Sequence, residues 1–176
     1  MIRILIALQF ATLLFGQKIF EEFEKDQNNK YHYKETYRFD TVPDDGSYTV
    51  LLESVEGDIR VSAHKGASAE ITIIRKIRAT REKKAKRLVN DAKILVYHVE
   101  DDQLIQVRSE KKIRYKRGVH TEFELKLPMN INLNLKTTGG DIDVTDIRGE
   151  SVLKTSGGGL DLENLMGRIE AHTSGG

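Results

Sequence analysis

A fixed period toward the C-terminal end constrains this chain more than any other feature. From Thr137 the sequence reads TTGGDIDVTDIRGESVLK, then TSGGGLDLENLMGRIEAH, then TSGG, so one 18-residue unit returns. Repetition at a fixed period marks an architecture built by stacking one supersecondary unit on the next. A finer beat runs inside it, with Gly140, Gly149, Gly158, Gly167 and Gly176 nine residues apart. Glycine turns the backbone through φ > 0 without a Cβ penalty, so Gly140, Gly149, Gly158 and Gly167 read as repeat corners. Between corners the residues alternate. Ile142, Val144, Leu160 and Leu162 point one way while Asp141, Asp143, Asp161 and Glu163 point the other, which is the period of a strand with one buried face.

Laid over each other, the units match Ile142 with Leu160, Val144 with Leu162, Ile147 with Leu165 and Gly149 with Gly167. Stacked coils bury their apolar rows only against their neighbours, so like must lie over like. The predicted fold is therefore mainly β. It is a β-solenoid, or β-helix-like, set of strand repeats in 18-residue coils, with an N-terminal β region and one short amphipathic helix. The alternative is an antiparallel meander or sandwich with glycine turns. The constant register of the corners favours the solenoid.

An earlier copy of the pattern, VEGDIRVSAHKG, has Gly57 and Gly66 nine apart and sets Ile59 and Val61 in the places of Ile142 and Val144. The segment Leu127, Pro128, Met129, Asn130, Ile131, Asn132, Leu133, Asn134, Leu135 fits a P-x-x-[IV]-x-[IL]-x-[IL] lead-in to the repeats. With T-[TS]-G-G-x-[IL]-x-[VL] followed by [IL]-x-G, this order resembles the bacterial adhesin-type family of β-strand-repeat proteins, DUF4097. The resemblance covers residues 46–176, which it marks as a β-strand-repeat domain. It implies strands, a short helix, more strands, then repeats, and an adhesive role; it brings no catalytic or binding residues.

Residues 1–16 read as a secretory signal peptide. Arg3 gives a positive start, an apolar run covers residues 4–15, and Gly16 is a small residue at a cleavage point. Residues 17–45 form a polar N-terminal segment or linker, of which 17–29 reads equally as a short helix or a loose linker. The chain contains no cysteine, which excludes disulfides, thiol chemistry and Cys-ligated zinc. No second apolar stretch approaches the ~18 residues of a membrane span. The final TSGG opens another unit, so further coils are expected beyond a truncated end.

Along the chain, strands are expected at residues 30–42, 48–52, 58–62 and 69–77, with a turn at Pro43-Asp44-Asp45-Gly46. Thr80 is placed to cap a helix whose Ala85, Leu88, Val89 and Ala92 form one apolar stripe. That helix is expected across a sheet or over the open end of the first coil. A hairpin follows at residues 94–99 and 103–108. A last strand before the lead-in, residues 120–127, has Phe123, Leu125 and Leu127 as its inner row.

Charge is unevenly spread. Residues 67–118 hold 15 basic against 7 acidic side chains, whereas residues 137–176 hold 3 against 7. Eight cations crowd into residues 75–87: Arg75, Lys76, Arg78, Arg81, Lys83, Lys84, Lys86 and Arg87. With a second basic run at 111–117 they form the candidate surface for an anionic envelope polymer or membrane headgroups. The bland reading is a solvated helix face beside a lysine-guarded strand edge. Nucleic acid is not expected, because no aromatics are interleaved for base stacking.

Other chemistry is thin. GGDIDV and GGGLDL echo a calcium nonapeptide, but Ile142 stands where that motif needs glycine. Asp143 and Asp161 read instead as outward-facing strand residues. The histidines His32, His64, His98, His120 and His172 lack HxH, HxxxH and HExxH spacing and read as surface or strand residues. Ser156 and Ser174 read as turn hydroxyls, and G-x-S-x-G is absent. No cofactor or metal is expected. The functional expectation is a non-catalytic exported protein, adhesin-like or an envelope scaffold, at the cell surface, in the periplasm or secreted. Its partner would be an envelope or surface protein or polysaccharide. The rivals are a binding module for anionic polymers through residues 75–117 and a carbohydrate-active β-helix enzyme.

Overall fold

The alternating pattern resolves into strands throughout a computed structural model that describes residues 13–15, 17–28, 30–110 and 118–176. Most of the segment read as a signal peptide, residues 1–12 and 16, lies outside the described residues, as does the second basic run, 111–117. In chain order the elements are β1 (Leu13–Phe15), β2 (Gln17–Lys25), β3 (Tyr31–Phe39), β4 (Thr49–Val55), β5 (Asp58–His64), β6 (Ala69–Ile77) and α1 (Glu82–Asp91). There follow β7 (Ile94–Val99), β8 (Leu104–Ser109), β9 (Val119–Pro128), β10 (Asn132–Thr137), β11 (Ile142–Thr145), β12 (Ser151–Thr155), β13 (Leu160–Glu163) and β14 (Ile169–Thr173).

The strands form two mixed seven-stranded sheets and no closed barrel. The first sheet runs β1-β7-β8-β4-β10-β12-β14 and the second β13-β11-β5-β9-β6-β3-β2. Among consecutive strands β7 pairs antiparallel with β8 and β2 with β3, and β3 also pairs antiparallel with the more distant β6. The repeat region pairs parallel. Ile142 sits opposite Leu160 and Val144 opposite Leu162, and on the other flank Ile142 meets Ile59 and Val144 meets Val61. In the first sheet Ser151 meets Ile169 and Leu153 meets Ala171 at the same 18-residue offset.

The main core lies between the sheets. Val50, Leu52, Ile105, Val107, Leu133, Leu135 and Leu153 come from the first sheet. Ile59, Val61, Ile71, Ile73, Phe123, Leu125, Ile142 and Val144 come from the second. Each such side chain contributes about 1.5–3 kcal/mol when fully withdrawn from water. Leu160, Leu162 and Leu165 are only partly buried against this core, because β13 is the last strand of its sheet.

The glycines explain how successive units approach so closely. A Cβ on Gly140 would lie 2.4 Å from the carbonyl carbon of Gly57, and one on Gly158 would lie 2.0 Å from the Gly140 oxygen. Threonines, rather than the serines expected in the TSGG corners, satisfy the carbonyls there. Thr155 Oγ1 donates to Gly140 O at 2.9 Å and Thr173 Oγ1 to Gly158 O at 2.7 Å.

Two local expectations change. Residues 17–25 are neither helix nor loose linker: β2 pairs antiparallel along the whole of β3. All its residues but Phe23, which packs against the helix-covered cluster, are exposed, so edge pairing rather than an apolar face makes it a strand. Thr80 does not cap the helix; Arg81 is the N-cap residue, in extended conformation and without a side-chain cap bond. The helix does lie across a sheet. Ala85 and Val89 pack with Tyr31, Tyr33 and Ile77, on the end of β3 and β6 that the first sheet does not reach.

Candidate functional site

Two polar regions stand out, one centred on α1 and one on the outer face of the second sheet. The first contains the cations expected to bind an anion, and the fold divides them. Arg75 shares the inward parity of Ile71, Ile73 and Ile77 on β6, so strand geometry turns it into the protein, where it is 2% exposed. Its guanidinium pairs with the Glu35 carboxylate of β3 and donates to the carbonyls of Val89 (3.2 Å) and Ala92 (2.8 Å) at the end of α1. It also stacks over the Tyr33 ring at 4.6 Å. Arg75 thus fastens the helix to the sheet and is out of reach of an external polymer.

Glu35, equally buried, accepts a further hydrogen bond from the Tyr37 hydroxyl (3.1 Å), whereas the Tyr33 hydroxyl, 3.4 Å from Glu35, donates to Glu21 at 2.6 Å. Lys18 adds a second cation 3.3 Å away. Burial and the adjacent carboxylates of Glu21 and Glu35 push the Tyr33 hydroxyl well above its ordinary pKa, and Tyr37 moves the same way. A charged pair inside a protein is tolerable only when its remaining donors and acceptors are occupied, and this one is almost fully enclosed by partners.

The other seven cations are exposed. Lys76 pairs with Glu122 on the outer sheet face. Lys86 pairs with Glu82 one helical turn away, at 2.6 Å, and lies over the Phe23 ring. Arg78, Arg81, Lys83, Lys84 and Arg87 make no ion pair among the described residues. With Ala85 and Val89 turned inward, the cations of α1 necessarily occupy its solvent side.

The second region was not legible as a site in the sequence. β9 carries His120 and Glu122 two residues apart, hence on one face, and β5 runs parallel beside it with Asp58 opposite Glu122. His120 Nε2 lies 3.1 Å from Asp58 Oδ2 and 3.3 Å from Glu122 Oε1. Burial alone would raise the Glu122 carboxyl. The hydrogen bond and charge of Lys76, aided by His120 and Arg60, outweigh it and hold the group below the usual carboxylate range. The Arg60 guanidinium, one row further along β5, pairs with Asp143 at 3.4 Å.

The remaining histidines are scattered. His98 is buried, with its Nε2 3.1 Å from the Tyr48 hydroxyl and its ring edge-on to Phe39. His32 pairs with Asp26, His64 with the Ser68 carbonyl, and His172 is exposed on β14. Asp143 and Asp161 are register neighbours on the outward side of β11 and β13. A shallow pocket of 330 Å³ opens at the second corner of the repeats, between Met129, Asp146, Arg148, Asn164, Leu165 and Met166. It contains neither a histidine nor a nucleophile, and Asn164 Nδ2 donates to Asp146 Oδ1 across its rim.

Comparison with protein-family models, curated proteins and solved structures returns no match to this chain.

Proposed function

We propose that this chain is an exported β-solenoid scaffold with 18-residue coils and a non-catalytic, adhesin-like role in a bacterial envelope. The observation that carries the proposal is the parallel register of the repeats, in which Ile142 and Leu160, then Ser151 and Ile169, pair at one constant offset in two facing sheets. A stack of this kind produces a stiff, extendable surface whose outward rows repeat every coil. Export is supported by Arg3 and the apolar run over residues 4–15, and the adhesive role by the order of motifs from residue 46 onward. The partner would be an envelope protein or polysaccharide.

Cell fractionation of the full-length protein, with N-terminal sequencing of the product, tests this. Recovery outside the cytoplasm with a chain starting near Gln17 is the expected result, and a cytoplasmic protein retaining Met1 would end the proposal.

A second reading is favoured by the cations of α1 and its approach that make no ion pair among the described residues, Arg78, Arg81, Lys83, Lys84 and Arg87. Grouped on one exposed surface, they suit a teichoic acid, lipopolysaccharide or anionic headgroup. Heparin retention that falls with salt and with reversal of Lys83, Lys84 and Arg87 would support it. Retention that survives both changes would remove it. The enzyme reading has no comparable support, since the outward aspartates repeat with the scaffold; turnover on a panel of glycans would revive it.

A further inference from the structure

We propose that Asp58, His120 and Glu122 form a binding site for a first-row divalent transition-metal ion on the outer face of the second sheet. The three come from two strands fixed against each other by parallel hydrogen bonding, so their backbones are positioned before any ion arrives. Their nearest ligand atoms all lie within 4.8 Å of one another. Donor atoms about 2.1 Å from a tetrahedral ion lie about 3.4 Å apart, and the imidazole nitrogen is already 3.1 and 3.3 Å from the two carboxylate oxygens. The third edge, between the two carboxylates, is no longer than 4.8 Å.

The donor set selects the class of ion. One imidazole with two carboxylates suits zinc, cobalt or manganese, whereas calcium and magnesium prefer oxygen alone. Glu122 is nearly buried and Asp58 largely so, while His120 is half exposed, which leaves the remaining coordination positions open to water. Two carboxylates side by side also call for a cation between them. Lys76 now serves Glu122 in that way, but its side chain is 44% exposed and can swing into solvent. Lys76 is therefore a competitor of the ion. That gives the site a signature which a simple cluster of ion pairs around His120 lacks.

The test is titration of the full chain with cobalt(II), followed by its visible absorption, and with zinc(II), followed by calorimetry, both at neutral pH. One equivalent should bind. Replacing a direct ligand, in Asp58→Asn or His120→Ala, should weaken binding at least as much as the roughly tenfold typical of outer partners. Lys76→Ala should tighten it. His120 packs into no core, so its removal leaves the fold intact, which circular dichroism checks. Absence of binding in both the parent chain and Lys76→Ala would overturn the proposal. So would binding that His120→Ala leaves unchanged.

Discussion

Arg75 and Glu35, forty residues apart in sequence, pair inside the protein with both side chains almost wholly shut from water. The pair sits where the main core ends and the helix-covered cluster begins, and it joins β3, β6 and α1. Removing one partner strands the other charge in a poorly solvated place. Arg75→Met should therefore cost about 3–5 kcal/mol of unfolding free energy in a denaturant titration. The double replacement Glu35→Leu with Arg75→Met should recover part of that loss, because no charge is then left unpaired. If the single variant is as stable as the parent, the pair does not hold the helix.

The two glycines of each corner should answer differently to alanine. Gly140 has φ +111° and would press a Cβ against the Gly57 backbone, whereas Gly139 has open space around it. Gly140→Ala should cost about 1–3 kcal/mol or more through overpacking. Gly139→Ala should be near neutral, or stabilising by up to about 1 kcal/mol through the unfolded chain. Gly158 and Gly157 repeat the steric half of this contrast one unit later, with a Cβ on Gly158 pressing on Gly140 and open space around Gly157. Thermal melts of the four variants read it directly.

Much of the repeat region could be read in advance because its signals reinforce one another. Period-two alternation, glycine spacing and the 18-residue return all locate β11 and β13 in the same register. β6 was equally readable, since the β-branched run Ile71, Thr72, Ile73 and Ile74 fills its centre. What escaped was set by distant partners. β2 shows no alternation because all its residues but Phe23 are exposed, and only pairing with β3 makes it a strand. Arg75 was grouped with its charged neighbours, although its parity with Ile71, Ile73 and Ile77 already turned it inward. The cluster of Asp58, His120 and Glu122 depends on the pairing of β5 with β9. Only the match of GDI at residues 57–59 to the later repeats hinted at where Asp58 would stand.

Acid should weaken the fold through His98. Burial lowers its pKa below the ordinary 6.5, against the opposing pull of Glu100 3.8 Å away, while Tyr48 faces its other ring nitrogen. A histidine that binds its proton less readily when folded favours unfolding as it charges. Its contribution is thus intact above the unfolded pKa of about 6.5 and declines as pH falls through the window below it. Urea midpoints should drop between pH 8 and pH 5, and His98→Gln should flatten that slope. A slope unchanged by the substitution would assign the effect elsewhere.

The central claim is the parallel stacking of units at an offset of eighteen residues. The chain has no cysteine, so pairs can be introduced without background. Asp143 and Asp161 are register partners on the outward face, so their Cα atoms stand about 4.8 Å apart, within the span of a disulfide. Glu163, two residues further along β13, stands about 8 Å from Asp143, beyond that span. The measurement is the rate of oxidative crosslinking in the two double variants, Asp143→Cys with Asp161→Cys and Asp143→Cys with Glu163→Cys. Faster closure of the first pair is the predicted result. Equal or faster closure of the second would contradict the stacking and everything inferred from it.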